Sequence, residues 1–465
     1  MFKDKYAKGK ELRDKVSRTS HSEWKVPADR PSVEKMIELS NYDRLPGLIP
    51  IRHFRMTKSP FVFYRATASL MARDLSSTPV TGINVQACGD CHLMNFGCFS
   101  TPERTIVADM NDFDETMPGP WEWDVKRLAT SFMLASREKN FSEDEGHDIT
   151  MELASSYQKK LNEYSEMNFL ELWYTKFTMD DLRKMSRSKK FQERISKVLE
   201  KAELQSHEQV LYKITTSTIA GHEIANQAPL IYHPFDMKES MEMISKFIEQ
   251  YKSTLQPDRK LLLDQYKVVD VALKVVGVGS VGTRCYVVLM MNDNDEPLFV
   301  QVKEARQSVL EPYTQPSLYG HQGERVVQGQ RILQAASDIF LGWAMGPTGR
   351  HFYLRQLRDK KISFEVETFD KFRLRLYARL CGNILARAHC KSTKGPLICG
   401  YIGQSDQFTE ALCKFAAAYA DQTERDYNDF MKSIKSGKLE IREEEEEEPE
   451  VKNQNKIERT LVDSE

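Results

Sequence analysis

Residues 266–305 read YKVVDVALKVVGVGSVGTRCYVVLMMNDNDEPLFVQVKEA, and the fold turns on how the glycines are read. Gly277-Val-Gly279-Ser-Val-Gly282 has the spacing G-x-G-x-x-G. In a dinucleotide-binding unit that motif follows a strand and opens a helix. Here β-branched and aromatic residues resume at once in TRCYVVLMM, so the turn joins two strands. A glycine-rich strand–turn–strand covers the phosphates of ATP in kinases. A tight hairpin needs the same glycines on steric grounds alone. PLFVQVK then resembles V-A-I-K, with Lys303 placed 21 residues after Gly282. Strand alternation puts Phe299, Gln301 and Lys303 on one face and Leu298, Val300 and Val302 on the other. If the first face lines a cleft, Lys303 neutralises α- and β-phosphate charge; otherwise it is a solvated strand lysine.

Outward from this stretch, GERVVQGQRILQAAS (323–337) reads as a helix, and Glu324 is the candidate carboxylate partner of Lys303, with Glu311 as a rival. Two strands later, YLRQLRD falls where an interlobe hinge belongs. Backbone groups near Gln356 and Leu357 are expected to bind an adenine edge there.

The second informative stretch is QACGDCHLMNFG, residues 86–97. Cys88, Cys91 and His92 fit the C-x-x-C-H pattern of covalent haem attachment. With Cys98 they also make a possible zinc set. Asp90 and Asn95, five apart, have the spacing of a phosphotransferase catalytic loop. In that third reading Asp90 orients or deprotonates a hydroxyl and Asn95 ligates Mg²⁺. Asp112 in NDFDE, after the strand-like RTIVADM, then holds the Mg²⁺ that bridges the phosphates of ATP. Asp109 and Asp114 are alternative metal ligands.

GDCHLMN with the later DFD resembles the aminoglycoside phosphotransferase and choline kinase type, in which G-D-x-H-x-x-N precedes an I-D-[FW] strand end. The resemblance implies a further loop-bracing Asp about twelve residues after the metal Asp; Asp124 in WEWDVKRLA lies there. It also implies that His92 braces the loop rather than transferring protons. Kinases run from glycine loop and lysine to catalytic loop and metal Asp, whereas this chain has the second pair first. FRLRLYARLCGNILARAHCKS resembles the long helix that precedes a kinase catalytic loop, so joining residue 392 to the region before 86 restores the usual order. The expected fold is therefore α+β, a circularly permuted, two-lobed protein-kinase-like fold with a small antiparallel β lobe and a large, mainly helical lobe. Permutation is tolerated when both new ends lie at the surface.

Boundaries follow: 1–265 for the large lobe with its catalytic and metal loops, 266–360 for the small nucleotide-binding lobe, 361–437 for helices returning to the large lobe, and 438–465 for an acidic disordered tail. RHFRMTKSPFVFYRA, CGDCHLMNFG, NDFDETMPGPWEWDVKRLA, GVGSVGTRCYVVL, GERVVQGQRILQAASDIFLGW and YADQTERDY together resemble a bacterial family known as domain of unknown function 2252, grouped with kinase-like folds.

Composition bounds the rest. Residues 440–465 hold 11 acids and 4 bases, net −7, which leaves the other residues net +5 and gives no nucleic-acid signal. REEEEEEPE (442–450) is a like-charge block that cannot bury enough apolar surface to fold. No apolar run approaches the roughly 20 residues of a membrane helix. The charged start MFKDKYAKGKELRDK shows no signal-peptide core, and eight sparse cysteines form no secreted framework, so a cytoplasmic protein is expected. The expected activity is ATP- and Mg²⁺-dependent transfer onto a hydroxyl of an unknown small molecule or protein. A catalytically silent nucleotide-binding pseudokinase and AMP transfer on the same fold are the alternatives.

Overall fold

Ser59 and Pro60 start a helix as their chemistry dictates. In the computed structural model, which describes residues 2–203, 215–218, 221–234, 236–357 and 361–444, helix α1 (Ile49–Met56) is followed by α2 (Pro60–Ala66). Ser59 Oγ accepts from Val62 N–H at 3.2 Å, and Pro60 occupies the first turn, where its missing N–H costs nothing. Although 59–75 is helix-forming in pattern throughout, the helix breaks at Thr67. Its hydroxyl bonds back to the Phe63 carbonyl at 3.0 Å, its backbone leaves the helical region (ψ +41°), and α3 (Ala68–Leu75) starts afresh.

Strand β1 (Asn84–Ala87) pairs antiparallel with β4 (Met117–Pro120), and β2 (Phe96–Ser100) with β3 (Ile106–Met110). These short strands hold loops 88–95 and 111–116 side by side. Helix α4 (Trp121–Glu138) leaves β4 directly and is buried on nearly every face. Helix α5 (Glu143–Glu166) opens on a capping box, Ser142 with Glu145.

A six-stranded antiparallel sheet has the order β9-β10-β8-β7-β6-β5. Its members are β5 (Ile231–Tyr232), β6 (Lys267–Lys274), β7 (Cys285–Met291), β8 (Pro297–Glu304), β9 (Gly342–Met345) and β10 (His351–Gln356). Alternation gives it two faces. Val288, Met290, Val300 and Val302 pack on Ile244, Ile248 and Tyr251 of α6 (Met237–Lys252). Val287, Leu289 and Phe299 face the other way and are covered by Ile224 and Ile231. One strand of the sheet thus comes from before residue 266.

Helix α7 (Gln322–Leu333) packs on β10 and β9. Helix α8 (Lys371–Lys391) lies along α5. Its apolar residues recur every four: Leu376, Leu380, Ile384 and Ala388 are buried, but Phe372 at the head of the same stripe is exposed and meets Phe191 edge-on. Helix α9 (Gln407–Lys435) crosses α4 and α5. Among the described residues no helix is long and apolar enough to cross a membrane. Of the acidic tail, residues 438–444 are described, and they pack on the body: Leu439 is buried, Arg442 donates to the Gly47 carbonyl and Glu444 pairs with Arg55. The tail's remainder, 445–465, lies outside the described residues.

Candidate active site

Loop 88–95 is held by its backbone. Gly89 takes a positive φ of +86°, and a Cβ there would overlap the Glu115 carbonyl, so only glycine fits. Cys88 N–H and Gly89 N–H donate to the two oxygens of Asp124, at 2.7 and 2.9 Å. Asp124 sits in the first turn of α4, where a carboxylate also suits the helix dipole. His389 on α8 stands 3.3 Å from it, hydrogen-bonded in turn to Tyr157. Arg127, three residues on and hence on the same helix face, donates to the Asp90 carboxylate at 2.6 Å. The Arg127 guanidinium is buried and stacks over Tyr64. Burial pushes the Asp90 carboxyl up, against the pull of Arg127. Asn95 donates its Nδ2 to the Asp90 carbonyl at 2.6 Å, which leaves its amide oxygen as the acceptor able to take a cation. His92 Nε2 lies 3.9 Å from Asp90, and burial, then Arg65 and Arg127, hold the ring well below its ordinary value, so it is neutral.

Loop 111–116 meets the six-stranded sheet. The Lys303 ammonium lies 2.7 Å from Asp114 Oδ2 and 3.4 Å from Asp112 Oδ1, and its side chain is 5% exposed. Tyr353 O–H donates to Asp114 Oδ1 at 2.7 Å. Arg355 donates to the Asn111 carbonyl at 3.0 Å, and Arg325 of α7 to the Asp114 carbonyl at 2.8 Å. Burial opposes the charge on Lys303, but Asp112 and Asp114 hold it well above its ordinary value. Burial works to raise Asp112, yet Lys303 and Arg355 keep it below the usual carboxylate range. Asp114 is pushed up by burial and by the Asp112 charge.

The glycine turn closes this site from above. Gly277 (φ +65°) and Gly282 (φ +86°) need glycine for their backbone, and a Cβ on Gly279 would sit 3.4 Å from the Arg65 carbonyl. Residues 44–55 grip the turn: Leu45 N–H donates to Gly282 O at 2.8 Å, Arg44 to Val281 O and Arg55 to Gly277 O. Asp90, His92, Asn95, Asp112 and Asp114 line one cavity of about 370 Å³ together with Gly277, Gly279 and Ser280. Residues almost two hundred positions apart therefore share one crevice.

Other candidates lie elsewhere. Glu324 and Glu311 do not pair with Lys303; its carboxylate partners are Asp112 and Asp114, and α7 contributes Arg325 instead. Asp109 is fully buried in a two-oxygen pair with Arg387 at 2.7 and 2.8 Å, a brace between β3 and α8. Gln356 N–H is taken by Asp338 at 2.6 Å and Leu357 N–H by Phe299 O at 2.8 Å. Gln356 lines a separate cavity of about 240 Å³ with Asp338 and Phe340. The donor atoms of Cys88, Cys91 and His92 do not converge on one point. Burial holds the Cys91 thiol well above its ordinary value and lifts Cys98 to about 12, the reverse of what a thiolate ligand needs.

Sequence reasoning missed the arginines. Arg44, Arg52, Arg65 and Arg306 line the same cavity as the acids. Three of them fall in RLPGLIPIRHFRMTKSPFVFYRA (44–66), whose density of arginine among apolar residues is the one available signal.

The bacterial family described as "Uncharacterized protein conserved in bacteria (DUF2252)" matches residues 44–433, and the chain belongs to it. The match takes in every lining residue of the cavity except Met36, Leu39 and Ser40. Neither the curated proteins nor the solved structures give a match.

Proposed function

We propose that the cavity transfers the γ-phosphoryl group of ATP to a hydroxyl, on a circularly permuted kinase-like fold. The observation that carries this reading is the Lys303 ammonium 2.7 and 3.4 Å from Asp114 and Asp112, two acids that line the cavity with Asp90, Asn95 and the glycine turn. Lys303 lies on the third strand from the glycine-turn hairpin inclusive, as in kinases. Ser392, just past α8, accepts from Gln86 N–H at 2.8 Å, so the end of the long helix abuts the strand that leads into loop 88–95. That contact supports the permuted order, in which α8 would run straight into the catalytic loop.

The donor set fits a hard divalent cation: Asp112 and Asp114 offer carboxylate oxygens at the cavity wall, and Asn95 an amide oxygen. Mg²⁺ bound there would neutralise charge on the transferring group. The chain's own residues do the rest. Backbone groups of the turn 277–282 cradle the phosphates, and Lys303 pairs with them. Asp90, fixed by Arg127, orients the acceptor hydroxyl and takes its proton as the new O–P bond forms and the bond to ADP breaks. Asp124 keeps the loop backbone in place.

A nucleotide-binding scaffold without turnover is the second reading. The observation that favours it is the covered sheet face: Ile224 and Ile231 lie over Val287, Leu289 and Phe299, and the Gln356 and Leu357 N–H groups are already taken. Incubation with γ- and α-labelled ATP and a broad panel of hydroxyl acceptors separates these readings and AMP transfer. Transfer of γ-label is expected, lost by a factor of about 10²–10⁴ in Asp90→Asn with nucleotide binding retained. Binding with neither label transferred would establish the scaffold.

A further inference from the structure

The cavity's charges are not balanced. Each lining acid already has a partner in the protein: Asp90 has Arg127, Asp112 and Asp114 have Lys303, Glu304 has Arg284 and Arg350, and Glu115 accepts from Val309 N–H. Arg44, Arg52 and Arg65 have no carboxylate partner among the described residues. Arg44 and Arg52 donate to neutral oxygens: Ser40 and Val281 carbonyls for Arg44, the Asn41 amide and the Ala66 carbonyl for Arg52. Arg52 is fully buried, and its Nε, like that of half-buried Arg65, meets no hydrogen-bond acceptor. Burial, reinforced by the neighbouring guanidiniums, holds Arg44 well below its ordinary value and Arg52 near 10. Buried cations without counter-charge are costly and are kept where an anion completes them.

We infer that Arg44, Arg52 and Arg65 form a binding site for an anionic group, phosphate or carboxylate, carried by the molecule whose hydroxyl meets Asp90. The phosphates of ATP have their own receptors in the glycine turn and Lys303. Arg44 adjoins the glycine turn, but Arg65, on α2, lines the cavity with Asp90 and His92 and is close enough for its charge to act on both. Guanidinium groups suit both phosphate and carboxylate through paired N–H donors. The identity of the anion's carrier as acceptor rests on the phosphoryl-transfer reading; the anion site itself does not.

The test uses the full-length protein free of nucleotide and metal, titrated with inorganic phosphate and, separately, with acetate, each followed by calorimetry. The titrations are repeated with Mg²⁺ and a non-hydrolysable ATP analogue at saturation. Phosphate or acetate is expected to bind, at least tenfold more weakly in Arg65→Gln, with most of the affinity restored in Arg65→Lys. The tighter of the two ions tells which group the acceptor carries. Saturating analogue is expected to leave the anion's affinity unchanged. Equal binding in wild type and Arg65→Gln would overturn the site, and competitive displacement by the analogue would overturn its assignment to the acceptor. If the analogue fails to bind while anion binding stays Arg65-dependent, the anion site stands and the phosphoryl-transfer reading falls.

Discussion

One strand, β8, has two ends with opposite fates. At Lys303 its cleft-facing side meets Asp112 and Asp114 beside an open cavity. Four residues earlier, Phe299 on the same side is fully buried under Ile224 and Ile231. The period of the strand is identical throughout, so the difference is made by what packs against it. The phosphate end is assembled from polar loops that keep a cavity open; the end where a base would lie is filled by apolar side chains from upstream. Formation of the first therefore says nothing about access to the second, and each can be perturbed alone.

The largest effect is expected at the open end. Gly89→Ala places a Cβ against the Glu115 carbonyl at a positive φ, which costs about 4 kcal/mol and displaces Asp90. Denaturant titration should show that loss, and Mg·ATP binding should weaken while the packing at Phe299 is unchanged. A fully stable Gly89→Ala protein would mean that the loop does not need its tight approach.

Ile224→Ala acts on the covered end. Truncating this buried side chain should destabilise the protein by about 3 kcal/mol. If a base must displace the covering segment, the same variant binds Mg·ATP more tightly than wild type, because less packing opposes entry. Unchanged nucleotide affinity would put the base elsewhere.

A smaller effect distinguishes the ends by pH. Burial raises Glu115, on the cavity wall, to about 7. Its protonated form is favoured in the folded state, so its stabilising contribution is complete below the unfolded value of 4.5 and is lost as pH rises through about 7. The stability of wild type relative to Glu115→Gln should fall by about 2 kcal/mol between pH 4.5 and 8, read from urea midpoints, the side chain being only partly buried. No such trend is expected for Ile224→Ala relative to wild type.

What the sequence disclosed follows the same division. Local chemistry was legible: the Ser59–Pro60 cap, the glycine turn between two strands and the alternation that turns Lys303 inward; Asp124 as a brace of the loop was reached only through the resemblance. Contacts between distant segments were not. Nothing local distinguishes Asp114 from Glu324 as the partner of Lys303, because that choice depends on which loop docks on the sheet. Ile224 and Ile231 lie in strands of only four and two residues, too short for a periodic signal, so their cover over β8 was not legible. The arginines of 44–66 have no local motif that marks them, because their place is set by the distant turn at 277–282 that rests on them.

The most direct measurement is a double-mutant cycle on Mg·ATP affinity, using Asp112→Asn, Lys303→Met and the pair together. If both groups act on one nucleotide in one cavity, each single change weakens binding and the double variant loses clearly less than the two losses combined. Strictly additive losses, or affinity untouched by either change, would contradict a shared phosphate site.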